Sequence, residues 1–452
     1  MNQEFIVKYK KTLDTLGKSI ELTGYTGINS GGSQMKSSQR DNGTNLYSLY
    51  KFTNNVSTSY AKLDINLPYT FATLNLGSKF NIEDNSNLGR YNVNNTNSTL
   101  FSLENYNSQL DFQFVEKNLA FYAEAMKDIK KFTFGAGVRW ENYEVNRTSS
   151  IFSNTLSSKI SNLFPNAYVT YQINPYVQTN LSYTKKISIP SASQYDPNNG
   201  NFYDKYFASK GNVYLKPNFY DNLNLSITAF DYLQLSVDYT HSNNENLQMI
   251  STTPNSIQTT QTSVNFSSMD NVSIFGSLPV PFGIFKEGKQ FFQKAINPDA
   301  INYLFLYTSY NQTNIKGYTF PTRYEAFWSS GINSHFVLPK GFKLNVNYSY
   351  STKGYYQIYY INAPIHFADI IVSKTFFKRK LTTSFQVTDP FNTNYQQLKT
   401  TSTNLDVATN QKQDTRVFRV NLTYSFGKHK RFMNENTVID TDKKENKGGK
   451  ML

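Results

Sequence analysis

Only four histidines, His241, His335, His366 and His429, occur in the 452 residues, and there is no cysteine. That composition removes thiolate ligands, disulfides and cysteine nucleophiles together, and no two histidines stand at a metal-ligand spacing. A Ser–His or His–Asp catalytic pair needs its hydroxyl or carboxylate positioned against the imidazole. His335 sits in Ser334-His335-Phe336 and His366 in Ile365-His366-Phe367, each an ordinary strand setting. Glu141 and Glu144 fall on different faces of a strand and suit no two-carboxylate mechanism. Gly31-Gly32 and Gly448-Gly449 lack the spacing and the strand-to-helix context of a phosphate loop. The sequence predicts no catalytic residue, no metal and no cofactor, and therefore a protein that is not an enzyme.

The side chains with something to offer a ligand are aromatic. Tyr (34) and Phe (35) dominate an aromatic content of 16%, against a total hydrophobic content of only 38%. Tyr195, Phe202, Tyr203, Tyr206 and Phe207 gather in the stretch 188–218, and Tyr355, Tyr356, Tyr359 and Tyr360 in 352–363. Rings stack on glycans, peptides or siderophores while neighbouring Asn and Ser supply adaptable hydrogen bonds. These nine residues are the candidate ligand-binding set. The formal charge of +13 raises the question of nucleic acid, but part of it lies in the tail 428–452. A solvated basic tail, expected to be disordered, and interfacial lysines account for it, so no nucleic-acid partner is expected.

What must position such loops is legible in period-2 alternation. Leu223, Leu225, Ile227 and Ala229 alternate with Asn222, Asn224, Ser226 and Thr228. After residues 230–232 the pattern resumes with Leu233, Leu235, Val237 and Tyr239. The same greasy face recurs in Phe132–Trp140, Phe342–Tyr350 and Phe418–Phe426. Polar disordered chains lack this combination of aromatics and alternation. No apolar run approaches the ~18 residues of a membrane helix, but strands closed into a barrel also satisfy their backbone in lipid.

A soluble sandwich could alternate in the same way, so the connections decide. Short turns are expected near 11–17, 67–70, 127–131, 174–175, 230–232, 338–341 and 375–379, with one longer connection at about 279–299 on the same side. On the opposite side lie long polar stretches near 29–55, 82–108, 147–160, 188–218, 243–260, 352–363 and 390–413. Transmembrane barrels keep short periplasmic turns and long extracellular loops. Tyr168, Tyr171, Tyr176 and Tyr183 at strand ends suit headgroup level. Segment 284–296, with Phe285, Phe291 and Phe292, is expected to form a short helix covering the periplasmic rim. The fold class is thus all-β: a transmembrane antiparallel β-barrel of about 17 strands over 1–427, in the outer membrane of a Gram-negative cell. Both termini of a single-chain barrel lie in the periplasm only for an even count. The odd count, together with a start that is no signal peptide, predicts that an N-terminal part is missing.

Residues 161–217 are specific enough to resemble a family. Asn162-Leu163-Phe164-Pro165 precedes Leu181-Ser182-Tyr183-Thr184-Lys185-Lys186-Ile187-Ser188-Ile189-Pro190, and Gly211-Asn212-Val213-Tyr214-Leu215-Lys216-Pro217 follows. The pattern resembles the outer membrane protein β-barrel family, the barrel half of TonB-dependent-receptor-like proteins. Val213 stands where that pattern has proline, and Lys186 where arginine is common. Gly137-Val138-Arg139-Trp140-Glu141 is similar to its Gly-x-Arg-x-Glu strand. Val387-Thr388-Asp389-Pro390-Phe391-Asn392 is similar to its penultimate hairpin, and Asn421–Lys428 to its last strand. Structural roles are expected for Arg139, Glu141, Pro165, Pro190, Gly211, Asn212, Leu215, Lys216, Pro217 and Asp389.

The resemblance implies a receptor barrel of ~22 strands filled by an N-terminal plug that couples uptake to an inner-membrane energy complex. It implies membrane lipid, lipopolysaccharide and an extracellular small-molecule or oligomeric nutrient as partners. The alternative is a passive or structural barrel without energy-coupled transport.

Overall fold

The computed structural model describes residues 2–41, 43–96, 108–197, 207–230, 232–252, 259–293, 300–317, 324–377, 380–402 and 405–426. The chain runs almost entirely as strand. The first eight are β1 (Asn2–Thr12), β2 (Ser19–Asp41), β3 (Thr44–Pro68), β4 (Thr73–Asn95), β5 (Ser108–Ile129), β6 (Phe132–Ser149), β7 (Leu156–Asn174) and β8 (Val177–Ser188). Then come helix α1 (Ala192–Tyr195), β9 (Phe207–Lys210), β10 (Asn218–Ala229), β11 (Leu233–Thr252) and β12 (Thr259–Pro281). Helix α2 (Gly283–Glu287) and a 3-10 turn (Gly288–Gln293) lead to β13 (Tyr303–Lys316), β14 (Phe327–Val337) and β15 (Phe342–Ser351). The last are β16 (Gly354–Tyr356), β17 (Tyr359–Ile361), β18 (Ile365–Phe376), β19 (Leu381–Thr388), β20 (Gln396–Ser402), β21 (Leu405–Gln411) and β22 (Val417–Tyr424).

Seventeen of these form one antiparallel meander, each strand beside its chain neighbour, with β10 beside β8, β18 beside β15 and β22 beside β19. Short β9 joins the sheet parallel to β12, and β16, β17, β20 and β21 make a separate four-stranded sheet on the long-loop side. Among the described residues nothing pairs with the outer edge of β1 or of β22, so the wall stands open between them. The meander matches the strand count expected from the alternation.

One prediction about the loops needs correcting. Strand reaches far into the stretches 29–55, 82–108, 147–160 and 243–260: β2 and β3 meet across 42–43, β4 runs on to Asn95, β6 to Ser149 and β11 to Thr252. The β2–β3 ladder continues unbroken to Asp41↔Thr44, and β3 reaches 25 residues. At ~3.4 Å per residue that is roughly 80 Å of chain, against an apolar band of about 25 Å. The reason is that an antiparallel ladder needs no lipid to persist. Beyond the band both faces meet water, Ser, Thr and Asn occupy both, and the alternation that betrays a strand disappears.

The two faces of the wall are chemically distinct. Outward lie Phe121, Phe134, Val138, Leu225, Val237 and Ile332, all exposed. Inward lie hydrogen-bonded polar rows: Asn54 donates to Asn85 and Asn87, Asn66 to Asn75, and Asn224 to Asp238. A one-residue slip would exchange these sets, so the register is strongly specified.

Interior tyrosines lock neighbouring strands by lying over cross-strand glycines. Tyr122 faces Gly77, Tyr168 faces Gly135 and Tyr307 faces Gly331, each in direct register. A Cβ at these glycines would sit 2.2–2.4 Å from ring atoms. Tyr168 is thereby placed in the interior rather than at a headgroup rim, because only the glycine leaves room for its ring. Tyr171 and Tyr176 do belong to a rim, stacked on Phe132 (4.4 Å) and Phe230 (5.7 Å). Tyr183 donates to Asp221 on the outer face (2.6 Å).

Gly331→Val should lower stability by about 1–3 kcal/mol through overpacking against Tyr307. Adding Tyr307→Ala should recover part of that loss, a coupling readable from urea-unfolding midpoints of the single and double variants.

Candidate functional site at the extracellular mouth

The connection between β8 and β10 does not hang in solvent. Its described parts, 189–197 and 207–217, lie along the inner face of the wall as a strap, and they are fixed by residues that the family resemblance singles out. Pro190, buried, ends β8, and Ser191 opens α1 by donating its amide to Gln194 Oε1 (2.9 Å). Tyr195 is 1% exposed, stacked on Phe114 of β5 (5.7 Å), with the Arg147 guanidinium of β6 4.8 Å from its ring. Burial raises its hydroxyl pKa to about 12, although Arg147 works against the rise. Asp196, also buried, accepts from Asn87 Nδ2 of β4 (2.6 Å), extending the asparagine row from β3.

The returning half of the strap packs against the first. Gly211 donates to Asp196 O (2.9 Å), and a Cβ there would stand 2.4 Å from that oxygen, so only glycine fits. Asn212 donates its amide to Gln194 O (2.7 Å), accepts from Tyr214 N through Oδ1 and donates from Nδ2 to Ser263 O of β12. Arg147 Nη1 donates to Val213 O and Nη2 to Ser158 Oγ, both 2.6 Å. Burial lowers the Arg147 pKa. Val213 and Leu215 join Phe112, Phe114, Val145, Ala192 and Tyr195 in one buried apolar cluster. Lys216 is pinned through its backbone: its amide donates to Asn265 Oδ1 and its carbonyl accepts from Asn265 and Asn246. Pro217 then enters β10. The strap therefore spans from β4–β6 on one side to β12 on the other.

Pro165 marks where the wall parts. The β7–β8 ladder begins only at Asn166↔Thr184, whereas β6–β7 continues to Leu156. Proline carries no amide for that ladder. A cleft of about 390 Å³ opens beside it, lined by Arg139, Glu141, Tyr143 and Asn166 among others. Arg139 Nε and Glu141 Oε1 form an ion pair there, and the Arg139 guanidinium lies 5.2 Å from the Tyr122 ring.

The nine candidate ligand residues separate. Tyr195 is a buried anchor and Phe207 a half-buried residue of β9. Phe202, Tyr203 and Tyr206 fall outside the described residues. Tyr355 packs edge-on against Tyr324 (5.2 Å) and beside Tyr360 (4.9 Å). Tyr359 donates to Gln248 O and Tyr360 to Glu325 Oε2, both 3.0 Å. Tyr356 is 44% exposed. With Leu247, Phe266, Met269, Ile315, Tyr324 and Ile358, Tyr355 and Tyr359 belong to a second buried cluster that holds the β16–β17 hairpin over the wall. Sequence reasoning passed over Arg147, Asn87 and Asp196. Their signal is weak, since each is simply one polar residue on an alternating strand or in a loop.

Asp389 organises the next loop. Fully buried with φ +43°, it accepts from the amides of Thr393 and Asn394, from Thr415 Oγ1 and from Lys412 Nζ. Burial opposes its ionisation, but these donors outweigh it and hold the pKa at about 2. His335 is buried in the interior, its Nδ1 2.7 Å from Asn345 Oδ1, while His241 pairs with Asp270 on the outer face. Among the described residues no cluster of three or more His, Asp or Glu could hold a metal.

Arg147→Ala should remove two charge-assisted hydrogen bonds, destabilising the strap by about 2–3 kcal/mol. Limited proteolysis should then cut within 189–217 faster than in the parent while the wall stays intact. For Asp389 the folded-state pKa lies below the unfolded one, so its contribution, about 2 kcal/mol, is complete above pH 4 and fades as pH falls through about 2. Asp389→Asn should flatten that acid limb in a stability-versus-pH series.

Comparison with known proteins agrees with this architecture. The model of the outer membrane protein beta-barrel family matches residues 11–424. No curated protein matches the sequence. Among solved structures, the unliganded ferric citrate transporter FecA superposes with a TM-score of 0.62 at 12% identity, covering 94% of this chain and 61% of its own. The ferric yersiniabactin uptake receptor FyuA of Yersinia pestis gives 0.60 at 11%, again over 94% and 61%. The pyoverdine-bound receptor FpvA of Pseudomonas aeruginosa PAO1 gives 0.61 at 11%, over the same shares. The chain thus spans about 61% of the length of these receptors. The family match covers nearly every strand of the meander, and it places the wall in a Gram-negative outer membrane: the chain belongs to the outer membrane protein beta-barrel family.

Proposed function

We propose that this chain is the wall of an outer-membrane receptor for TonB-dependent-type uptake of a nutrient of the siderophore, glycan or peptide class. The observation that carries the reading is the strap, anchored at both ends across the inner face on the long-loop side. A segment tied from β4 to β12 narrows the mouth and gives an arriving ligand a fixed surface to meet, which supports a receptor over an open pore. Tyr203, within the strap's own sequence, and Tyr356, the open ring of the β16–β17 hairpin, are the rings offered to a ligand arriving from outside. FecA, FyuA and FpvA, whose names speak of ferric citrate, ferric yersiniabactin and pyoverdine, share the fold and lend the siderophore class its weight. In this reading energy reaches the ligand through a plug domain in the lumen, and lipid and lipopolysaccharide cover the outer face. The interior polar rows then serve as the surface along which plug and ligand move.

The test is equilibrium binding of purified protein to panels of ferric siderophores, oligosaccharides and peptides. Tyr203→Ala combined with Tyr356→Ala should weaken the retained ligand about tenfold or more, since each ring contributes of order 1 kcal/mol by stacking. Unchanged affinity would sink the assignment of these loops.

A further inference from the structure

Seven of the connections on the periplasmic side of the wall are tight turns, and the eighth is not. Between β12 and β13 the chain forms α2 and the 3-10 turn, Gly283–Gln293, and this segment leans on the outer face of the wall. Phe282 continues the outward set of β12, which includes Ile274 and Leu278. Its ring lies 5.9 Å from Phe336 on β14 and 6.4 Å from Phe285 in α2. Backbone bonds hold that footing: Phe282 donates to Asn302 O (2.8 Å), and Asn302 Oδ1 accepts from Val337 N (2.6 Å).

Within the segment the apolar side chains are divided. Phe291 is buried and its ring occupies the space over Gly283, where a Cβ would lie 2.3 Å away. Phe285 is 75% exposed, next to the exposed pair Lys286 and Glu287. Left in water, such a ring keeps its apolar surface hydrated, which is unfavourable.

The same rim is lined on the outer face by other aromatic pairs, exposed but for the half-buried Tyr171. Tyr69 stacks on Phe71 (5.3 Å), Phe132 on Tyr171 and Tyr176 on Phe230. Lysines lie over the rings at two places: Lys18 over Tyr69, and Lys374 over Phe342 and Phe376. Rings backed by lysine heads suit the boundary between acyl chains and headgroups. Phe285 extends this belt beyond the wall itself.

We infer that Gly283–Gln293 is an interfacial anchor lying in the phospholipid headgroup region of the periplasmic leaflet, with Phe285 inserted toward the acyl chains. An amphipathic segment in the plane of the interface needs only its apolar side in lipid. Phe282 and Phe336 make it continuous with the lipid-facing wall.

The sequence holds two tryptophans, Trp140 and Trp328, and both sit on the outer face. In a Trp140→Phe, Trp328→Phe background, Phe285→Trp gives a single reporter in the full chain. Reconstituted in phosphatidylethanolamine–phosphatidylglycerol vesicles, its emission should be blue-shifted from that in urea. It should be strongly quenched by acyl-brominated phospholipid and little by aqueous iodide. A companion variant keeping Trp140 alone must also be quenched by brominated lipid, which verifies insertion of the wall. Given that, quenching by iodide but not by brominated lipid overturns the anchor. Quenching by neither also overturns it, since the ring would then be covered by protein.

Discussion

Inside a bilayer no water is present to accept a backbone hydrogen bond, so each strand must be paired along its length by its neighbours. The antiparallel ladders that run from β1 to β22 answer that demand everywhere but at the outer edges of those two strands and a few local register shifts. Much else in the molecule follows from it. Pairing fixes register, register sends alternate side chains to opposite faces, and the faces then diverge into an apolar exterior and a hydrogen-bonded interior. The Tyr122–Gly77, Tyr168–Gly135 and Tyr307–Gly331 joints belong to the same logic, since a ring can lie across the ladder only where its partner lacks a Cβ.

A rigid wall also makes a precise frame for irregular chain. The described parts of the strap, 190–197 and 207–217, have little regular structure, yet both are held by groups on strands. Asn87 takes Asp196, Arg147 takes the Val213 carbonyl, and Asn265 takes both backbone groups of Lys216. The buried Arg147 charge is tolerable there because both of its terminal nitrogens donate hydrogen bonds. The Asp389 loop repeats the device on a smaller scale, one carboxylate collecting the donors of a whole turn.

Much of the fold was legible in the residues. The alternation around Leu223–Tyr239 and the placement of short connections were enough to specify strands, their number and the side on which loops gather. The lengths of β2, β3, β4 and β5 were not. Their outer halves carry polar residues on both faces, which erases the period-2 signal although the hydrogen bonding continues. At the mouth, Gly211, Asn212 and Pro190 are marked by the family resemblance. Asn87, Arg147 and Asp196 are not, because contacts 109 residues apart (Asn87–Asp196) or 66 apart (Arg147–Val213) leave no local pattern.

The aromatic loops show the same division. Composition alone marked Tyr195, Tyr355, Tyr356, Tyr359 and Tyr360 as rings available to a ligand. Packing then assigned Tyr195 to the core beneath the strap and tied Tyr359 and Tyr360 to Gln248 and Glu325, leaving Tyr356 the most open of the five. The sequence by itself determined that this chain makes an amphipathic antiparallel wall, since a period of two is a local property written residue by residue. The tertiary structure alone decided which polar and aromatic side chains stay open at the mouth and which are consumed holding the strap. That choice depends on curvature bringing β4 and β12 to the same segment, and curvature is a property of the whole sheet.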